Sequence, residues 1–269
     1  MPFHMGSKTR QFDPDAVTKA IATLRKRIRS EIPESISNRK RNNLHKDAAD
    51  LIEALRVFVA ELDPVKQPPC VLDPADPYVV GKVIATTLLD QPRIPLDTIG
   101  RFYGSGVYAI YYVGDFPAYT AAAATQTPLY VGKADPAKPG AGTSEAQGLR
   151  LWQRLAEHQK SLRNAKNLLI EDFECRFLVV KSAWQNTAEI YLIDHFQPIW
   201  NKETGICFGF GKHGDSSKTR KNKRSPWDTL HPGRSWALTK NTVPNELSTK
   251  QITKKILAHY KAHPPKRNI

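Results

Sequence analysis

Three observations predict an α+β fold. Two glycine-punctuated runs, GVYAIYYVG from Gly106 and TPLYVGKA ending at Ala134, are rich in Tyr, Val and Ile, and their connection suits an antiparallel hairpin. A third run, FECRFLVV from Phe173 to Val180, alternates well enough for another strand. Around these runs lie segments with apolar residues at helical spacing. The chain has 269 residues, enough for one substantial core and a smaller appendage. The expected organisation is a helical extension over 1-65, a main domain over 66-237, and a basic helix and tail over 238-269.

In chain order, residues 15 to 30 read as a basic amphipathic helix with Val17, Ala20, Ile21, Leu24 and Ile28 on one side. A second helix, capped near Ser37, carries Leu44, Ala48, Leu51, Leu55, Phe58 and Leu62 at alternating four- and three-residue steps. That spacing is a coiled-coil seam under three heptads long. It reads either as a helical hairpin packed on its own domain or as a subunit interface. A proline-rich linker runs from Pro64 to Pro77, and Tyr78 to Leu89 reads as a mostly apolar helix stopped by Pro92 and Pro95. In the first of the two glycine-punctuated strands, Val107, Ala109, Tyr111 and Val113 share one face; Tyr108, Ile110 and Tyr112 share the other. Tyr130, flanked by Leu129 and Val131, lies on the opposite face of its strand from that pair, so one tyrosine from each strand can point at a shared site.

A Pro/Gly loop leads to a helix over Ala146 to Arg163, with Leu151, Leu155 and Leu162 as its buried stripe and Arg150, Arg154 and His158 on the neighbouring one. After the third strand, Asn186 and Thr187 are read as the cap of a short helix, Ala188 to Phe196, which Pro198 ends. From Lys212 to Arg224 the chain turns basic, with six Lys or Arg against one Asp. SPWDTLHPGRSWA then returns it to the packed body, and a Lys-rich helix occupies roughly 246 to 262.

Forty basic against twenty-six acidic side chains give a formal net charge of +14, which points to a polyanion, nucleic acid first. Cys70, Cys175 and Cys207 lack the paired spacing of a disulfide framework or a zinc knuckle and read as free thiols in a reducing compartment. No apolar run approaches the roughly 18 residues of a membrane span, so the chain is expected to be soluble and intracellular.

Glu189 shares a helical face with Ile193 and Phe196, which turns a carboxylate inward where an apolar residue is expected. It reads as a salt-bridge partner, with Arg176 the candidate, or as a ligand for a hard divalent cation. Arg154 and His158 read as a solvated helix face or, in a nuclease, as a phosphate clamp and a proton relay.

Gly106-Val107-Tyr108 and Tyr130-Val131-Gly132 resemble the paired signature of the GIY-YIG nuclease superfamily, with Val for Ile in both halves. Tyr108, Tyr130, Arg154, His158, Glu189 and Asn201 stand in the order and approximate spacing of that family's site, in the form found in its type II restriction endonucleases. There Arg and His are four apart on one helix and Glu precedes Asn by twelve, as here. The similarity runs from about Tyr78 to Ala237 and looks closest to the branch that cuts the palindrome CCGCGG. It implies a three-stranded antiparallel sheet flanked by helices, and one Mg²⁺ (or Mn²⁺) per site held mainly by Glu189. Tyr108 is then the base or water-orienting group, Tyr130 a phosphate positioner, Arg154 an electrostatic clamp, His158 the acceptor of the Tyr108 proton, and Asn201 a hydrogen-bonding anchor. Lys133 is expected to touch a phosphate. Lys212, Lys218, Arg220, Lys221, Lys223, Arg224 and Arg234 are expected to face DNA. The implied protein is a homodimer or homotetramer in a bacterial cytoplasm, acting on double-stranded DNA. The rivals are a repair or homing nuclease of the same superfamily and a non-catalytic basic DNA-binding protein.

Overall fold

The computed structural model describes residues 12–29, 36–65, 71–181, 184–211, 223–240 and 242–267. Cys70, Lys212, Lys218, Arg220 and Lys221 lie outside the described residues. The chain forms two compact units, residues 1–71 and 72–269.

The first unit contains α1 (Pro14–Arg27) and α2 (Asn38–Leu62). The Asp13 carboxylate accepts from the Asp15 and Ala16 amides, and Pro14 occupies the first turn, where its missing N–H leaves nothing unsatisfied. The Ser37 hydroxyl caps α2 as expected, accepting from the Lys40 amide. Phe12 packs on Phe58 with ring centroids 6.0 Å apart. No residue of α1 is buried. Leu44, Leu51 and Leu62 of the α2 seam are 53%, 38% and 59% exposed, while Leu55 and Phe58 are half-buried.

The second unit opens with α3 (Pro77–Leu89), whose N-terminus is capped by the Asp76 carboxylate. There follow β1 (Ile94–Pro95), β2 (Gly106–Tyr112), β3 (Tyr130–Ala134), α4 (Ser144–Gln147), α5 (Arg150–Asn164), β4 (Phe173–Val179), α6 (Gln185–Phe196), α7 (Pro226–Leu230) and α8 (Thr249–Ala262). The sheet has four strands among the described residues, not three, in the order β1-β4-β2-β3 with every pairing antiparallel. The extra strand is two residues long and ends on Pro95, too short to leave an alternation in the sequence. The helix expected over 146 to 163 is broken in two, because Gly148 takes φ +75°, a left-handed conformation that ends α4 before α5 begins. On α6 the chain turns helical already at Gln185, with Trp184 at the cap position and no side-chain cap bond from Asn186 or Thr187.

Every residue of β2 is buried, because helices cover both faces of the sheet. Val107, Ala109 and Tyr111 pack with Ala85 and Leu88 of α3 and Ala188, Leu192 and Phe196 of α6. Tyr108, Ile110 and Tyr112 face the larger core, which holds Leu151, Leu155 and Leu162 of α5, Trp200, Phe210 and Trp227, and Ile252 and Ile256 of α8. The alternation read along this strand therefore holds, with apolar layers on both sides. It leaves β3 at one edge of the sheet, where α5 arrives from one face and α6 from the other.

Arg234, expected at the DNA surface, instead turns inward. It is 3% exposed, its Nε and Nη2 donate to the two oxygens of Asp228 at 2.7 and 2.8 Å, and Nη1 and Nη2 donate to the carbonyls of Phe210 and Gly209. Its guanidinium also lies over the rings of Trp227 and Trp236. A buried ion pair backed by two carbonyl contacts pins the chain on either side of residues 212–222 to the core. Asp228→Ala leaves that guanidinium without its counter-charge and is expected to cost about 3–5 kcal/mol of unfolding free energy. The drop is read from the urea midpoint; a midpoint unchanged from the parent would show the pair to be energetically neutral.

Candidate active site

The sheet edge at β3 brings four of the sequence-predicted groups together. Tyr108 projects from β2 in register with Gly132 on β3 and Phe177 on β4. Its ring leaves no room for a side chain at position 132, where a Cβ would run into the phenol. The second glycine of the signature is thus a steric requirement of the first tyrosine. The Tyr108 hydroxyl stands 2.6 Å from Nε2 of His158, one turn beyond Arg154 on α5. Tyr130 lies edge-on to the same imidazole at 5.2 Å between centroids, and Phe210 stacks on it at 4.5 Å. His158 is fully buried, so these contacts fix its plane.

Arg154 Nη1 donates to Glu157 Oε2 at 3.0 Å and its Nη2 to the Gly211 carbonyl at 3.3 Å. Gly211 lies so close that a Cβ there would stand 2.6 Å from the Tyr130 hydroxyl and 3.1 Å from Arg154 Nη2. Asn201, 5% exposed, is an anchor: its Oδ1 accepts from the Val131 amide and its Nδ2 donates to the Val131 carbonyl, both at 2.9 Å. These two bonds tie the segment after α6 to β3 beside Tyr130. Lys133 is held by both oxygens of Asp135, at 2.8 and 2.9 Å.

Glu189 enters from α6, on the other side of the β3 edge. Arg176, its candidate salt-bridge partner, is committed elsewhere: its Nε donates to the Gln91 carbonyl, its Nη1 donates to Gln126, and the guanidinium lies over Tyr111. Among the described residues the Glu189 carboxylate makes no hydrogen bond or ion pair. Burial pushes it up to about 7, with Lys133 and Arg154 pulling it down and Glu203 and Asp135 pushing it up. Tyr108 is held well above the ordinary phenol range by burial and by the neighbouring Tyr130, against the pull of Arg154. Tyr130 is raised by burial, again opposed by Arg154. On Arg154 burial works against the charge, but Tyr108, Tyr130 and Glu157 outweigh it and keep the guanidinium charged.

Two clefts open at this edge, of about 670 and 390 Å³, and Tyr130 and Glu189 line both. Lys133, Asp135, Arg150, Arg154 and Glu157 complete the smaller one. Asp135, Glu157 and Gly211 were not singled out from the sequence. The first two carried a signal, since Asp135 follows Lys133 by two just past the end of β3 and Glu157 follows Arg154 by three along a helix. Gly211 carried none. Lys223 and Arg224, expected to face DNA, have partners within the protein: Lys223 Nζ lies 2.5 Å from Glu246 Oε1, and Arg224 Nε donates to the Ala237 carbonyl.

Among the described residues no three His, Cys, Asp or Glu side chains gather into a metal cage. A Mg²⁺-type ion needs none, because it keeps most of its waters and takes one or two carboxylates plus substrate phosphate oxygens. A half-buried carboxylate without a bonding partner among the described residues, lining two clefts, fits that donor set.

The antiparallel sheet, the tyrosines on its neighbouring strands β2 and β3, the Arg and His one turn apart and the carboxylate from the far face are the arrangement that the resemblance to the GIY-YIG class implies. Residues 100–260 match the model of the Eco29kI GIY-YIG domain. The chain therefore belongs to the Eco29kI GIY-YIG family of restriction endonucleases. No curated protein matches it.

Proposed function

We propose that this chain is a type II restriction endonuclease that hydrolyses phosphodiesters of double-stranded DNA at a short palindrome, with CCGCGG the candidate sequence and one Mg²⁺ or Mn²⁺ per active site. The observation that carries the reading is the 2.6 Å contact between Tyr108 and His158 beside Arg154, with the unpartnered Glu189 opening on the same cleft as Arg154. Glu189 would hold the cation, which supplies positive charge to the scissile phosphate and its attacking water. Arg154 forks onto non-bridging oxygens in place of Glu157 and meets the charge that grows there in the transition state. Tyr108 is too firmly protonated to wait as a phenolate, so it works through its neighbour. As water attacks the phosphorus, Tyr108 accepts the water proton while passing its own to His158 Nε2, which requires the imidazole proton on Nδ1. The new P–O bond belongs to a 5′-phosphate. The broken one releases the 3′-oxygen, which leaves as a hydroxyl after taking a proton from solvent. Asn201 keeps β3, and so Tyr130, in register with these groups.

Digestion of plasmid DNA with a divalent cation tests the reading. Discrete fragments whose ends map to CCGCGG support it, and discrete fragments at another sequence keep the restriction reading but move the specificity. Diffuse nicking indicates a repair or homing nuclease, and retardation without cleavage a binding protein.

The basic segment is proposed to contact phosphates along the duplex. Since Lys223 and Arg224 are engaged within the protein, the test falls on Lys218, Arg220 and Lys221. Replacing all three by Ala is expected to lower the slope of log K against log salt by about one for each phosphate that is no longer neutralised. An unchanged slope in a salt titration would remove the segment from the interface.

A palindrome presents two equivalent targets, so a two-fold homodimer, or a homotetramer of two such pairs, offers one site to each strand. The seam of α2, with Leu44, Leu51 and Leu62 exposed, is the proposed extra contact. Leu51→Glu with Leu55→Glu puts carboxylates into that seam, and sedimentation is expected to report a smaller assembly than the parent. An unchanged mass with the parent's circular dichroism would remove α2 from the interface.

A further inference from the structure

The larger cleft has no role in the reaction as read so far, yet Tyr130, Glu189 and Asn201 of the catalytic edge line it. At about 670 Å³ it has the capacity of a small-molecule site, and it shares Tyr130 and Glu189 with the smaller cleft. An occupant would therefore lie against two groups of the catalytic edge. Gly211 lines it where the backbone passes so close to the Tyr130 hydroxyl and Arg154 that no side chain fits. Two exposed cations line it, Lys202 just after the Asn201 anchor and Lys255 on α8, and among the described residues neither ammonium makes a hydrogen bond or ion pair. Lys223 and Arg224 also line it, the first held by Glu246 and the second with its Nε on the Ala237 carbonyl, and Glu203 and Glu246 add carboxylates; Lys202 and Lys255 are the lining cations with no partner among the described residues. Half-buried Phe208 adds an aromatic face, which stacks on any base without reading it. Cations and an aromatic face along a groove match a polynucleotide strand.

From this we infer that the larger cleft is the track taken by the cut strand on one side of the scissile phosphate, with Lys202 and Lys255 contacting the phosphates that flank it. The inference rests on the nuclease reading and adds to it a binding subsite that no stretch of sequence encodes. Lys202 and Lys255 are 53 positions apart, and only the packing of α8 brings them to one groove.

The test uses the intact chain in EDTA, a fluorescent duplex containing CCGCGG, and a set of the same duplex in which single phosphates of the cut strand are replaced by neutral methylphosphonates. Both lysines are exposed, so Lys202→Ala with Lys255→Ala keeps the fold. That variant is expected to lower the salt slope by about two, one for each phosphate it no longer pairs. Methylphosphonates next to the scissile position should weaken the parent but leave the variant unmoved, because the variant has no ammonium there to pair with a phosphate. A variant with the parent's slope, or one that loses further affinity at every neutralised phosphate as the parent does, would overturn the track while the parent still binds and cuts DNA. A parent that neither binds nor cuts any duplex would overturn the nuclease reading, and the track with it.

Discussion

Glu189→Ala is expected to lower metal-dependent DNA cleavage by at least about 10³-fold, the scale of losing a principal charge-stabilising group, while DNA binding in chelator stays at or above the parent's. The carboxylate is unpartnered among the described residues and its removal breaks no hydrogen bond, so the fold remains. Retained binding follows because the change deletes a negative charge beside a phosphate site. Glu189→Gln adds a reading that does not depend on activity. Burial raises the carboxyl from 4.5 to about 7 in the metal-free protein, so the folded state holds this proton more tightly than the unfolded chain. The resulting cost to stability is absent below 4.5, grows between 4.5 and about 7, and is complete above that. In EDTA the Gln variant should therefore melt above the parent at alkaline pH, and the two should converge as pH falls through this window. Equal melting temperatures across the range would mean that Glu189 is not held at a cost. Full cleavage by the Ala variant would dismiss it as the metal ligand.

Tyr108→Phe is expected to reduce kcat by about 10² to 10⁴-fold with KM little changed, because it removes the hydroxyl that contacts His158 and that is proposed to take the proton of the attacking water. The same change leaves His158 Nε2 buried without the phenol, at a cost of about 1–3 kcal/mol of stability. Stopped-flow cleavage and urea unfolding on one preparation separate the two effects. A kcat within twofold of the parent would reduce Tyr108 to a packing residue.

The two glycine-punctuated strands, the third strand and the amphipathic stripe of Leu151, Leu155 and Leu162 were legible because each obeys a short period that a buried face imposes. The inward carboxylate at Glu189 was legible for the same reason, as a break in that period. The two-residue β1 was not, since no alternation fits in two positions. The split between α4 and α5 was signalled only by Gly148, and a lone glycine also fits a continuous helix. Arg234 was misread because it follows a strongly basic stretch, while its partner Asp228 lies six residues earlier and is brought to it by the turn that ends α7. Gly211 and the two lysines of the larger cleft were invisible because their neighbours come from distant segments. Local patterning thus encodes the elements and several side chains of the candidate site, whereas clefts and internal counter-ions depend on how the ends of elements meet.

The most direct test of the account is single-turnover cleavage in ¹⁸O-labelled water, with the product ends weighed by mass spectrometry. The account predicts ¹⁸O in the 5′-phosphate, an unlabelled 3′-hydroxyl, and no product in EDTA or with Glu189→Ala. Label in a 3′-phosphate, or cleavage that persists in EDTA, would contradict it.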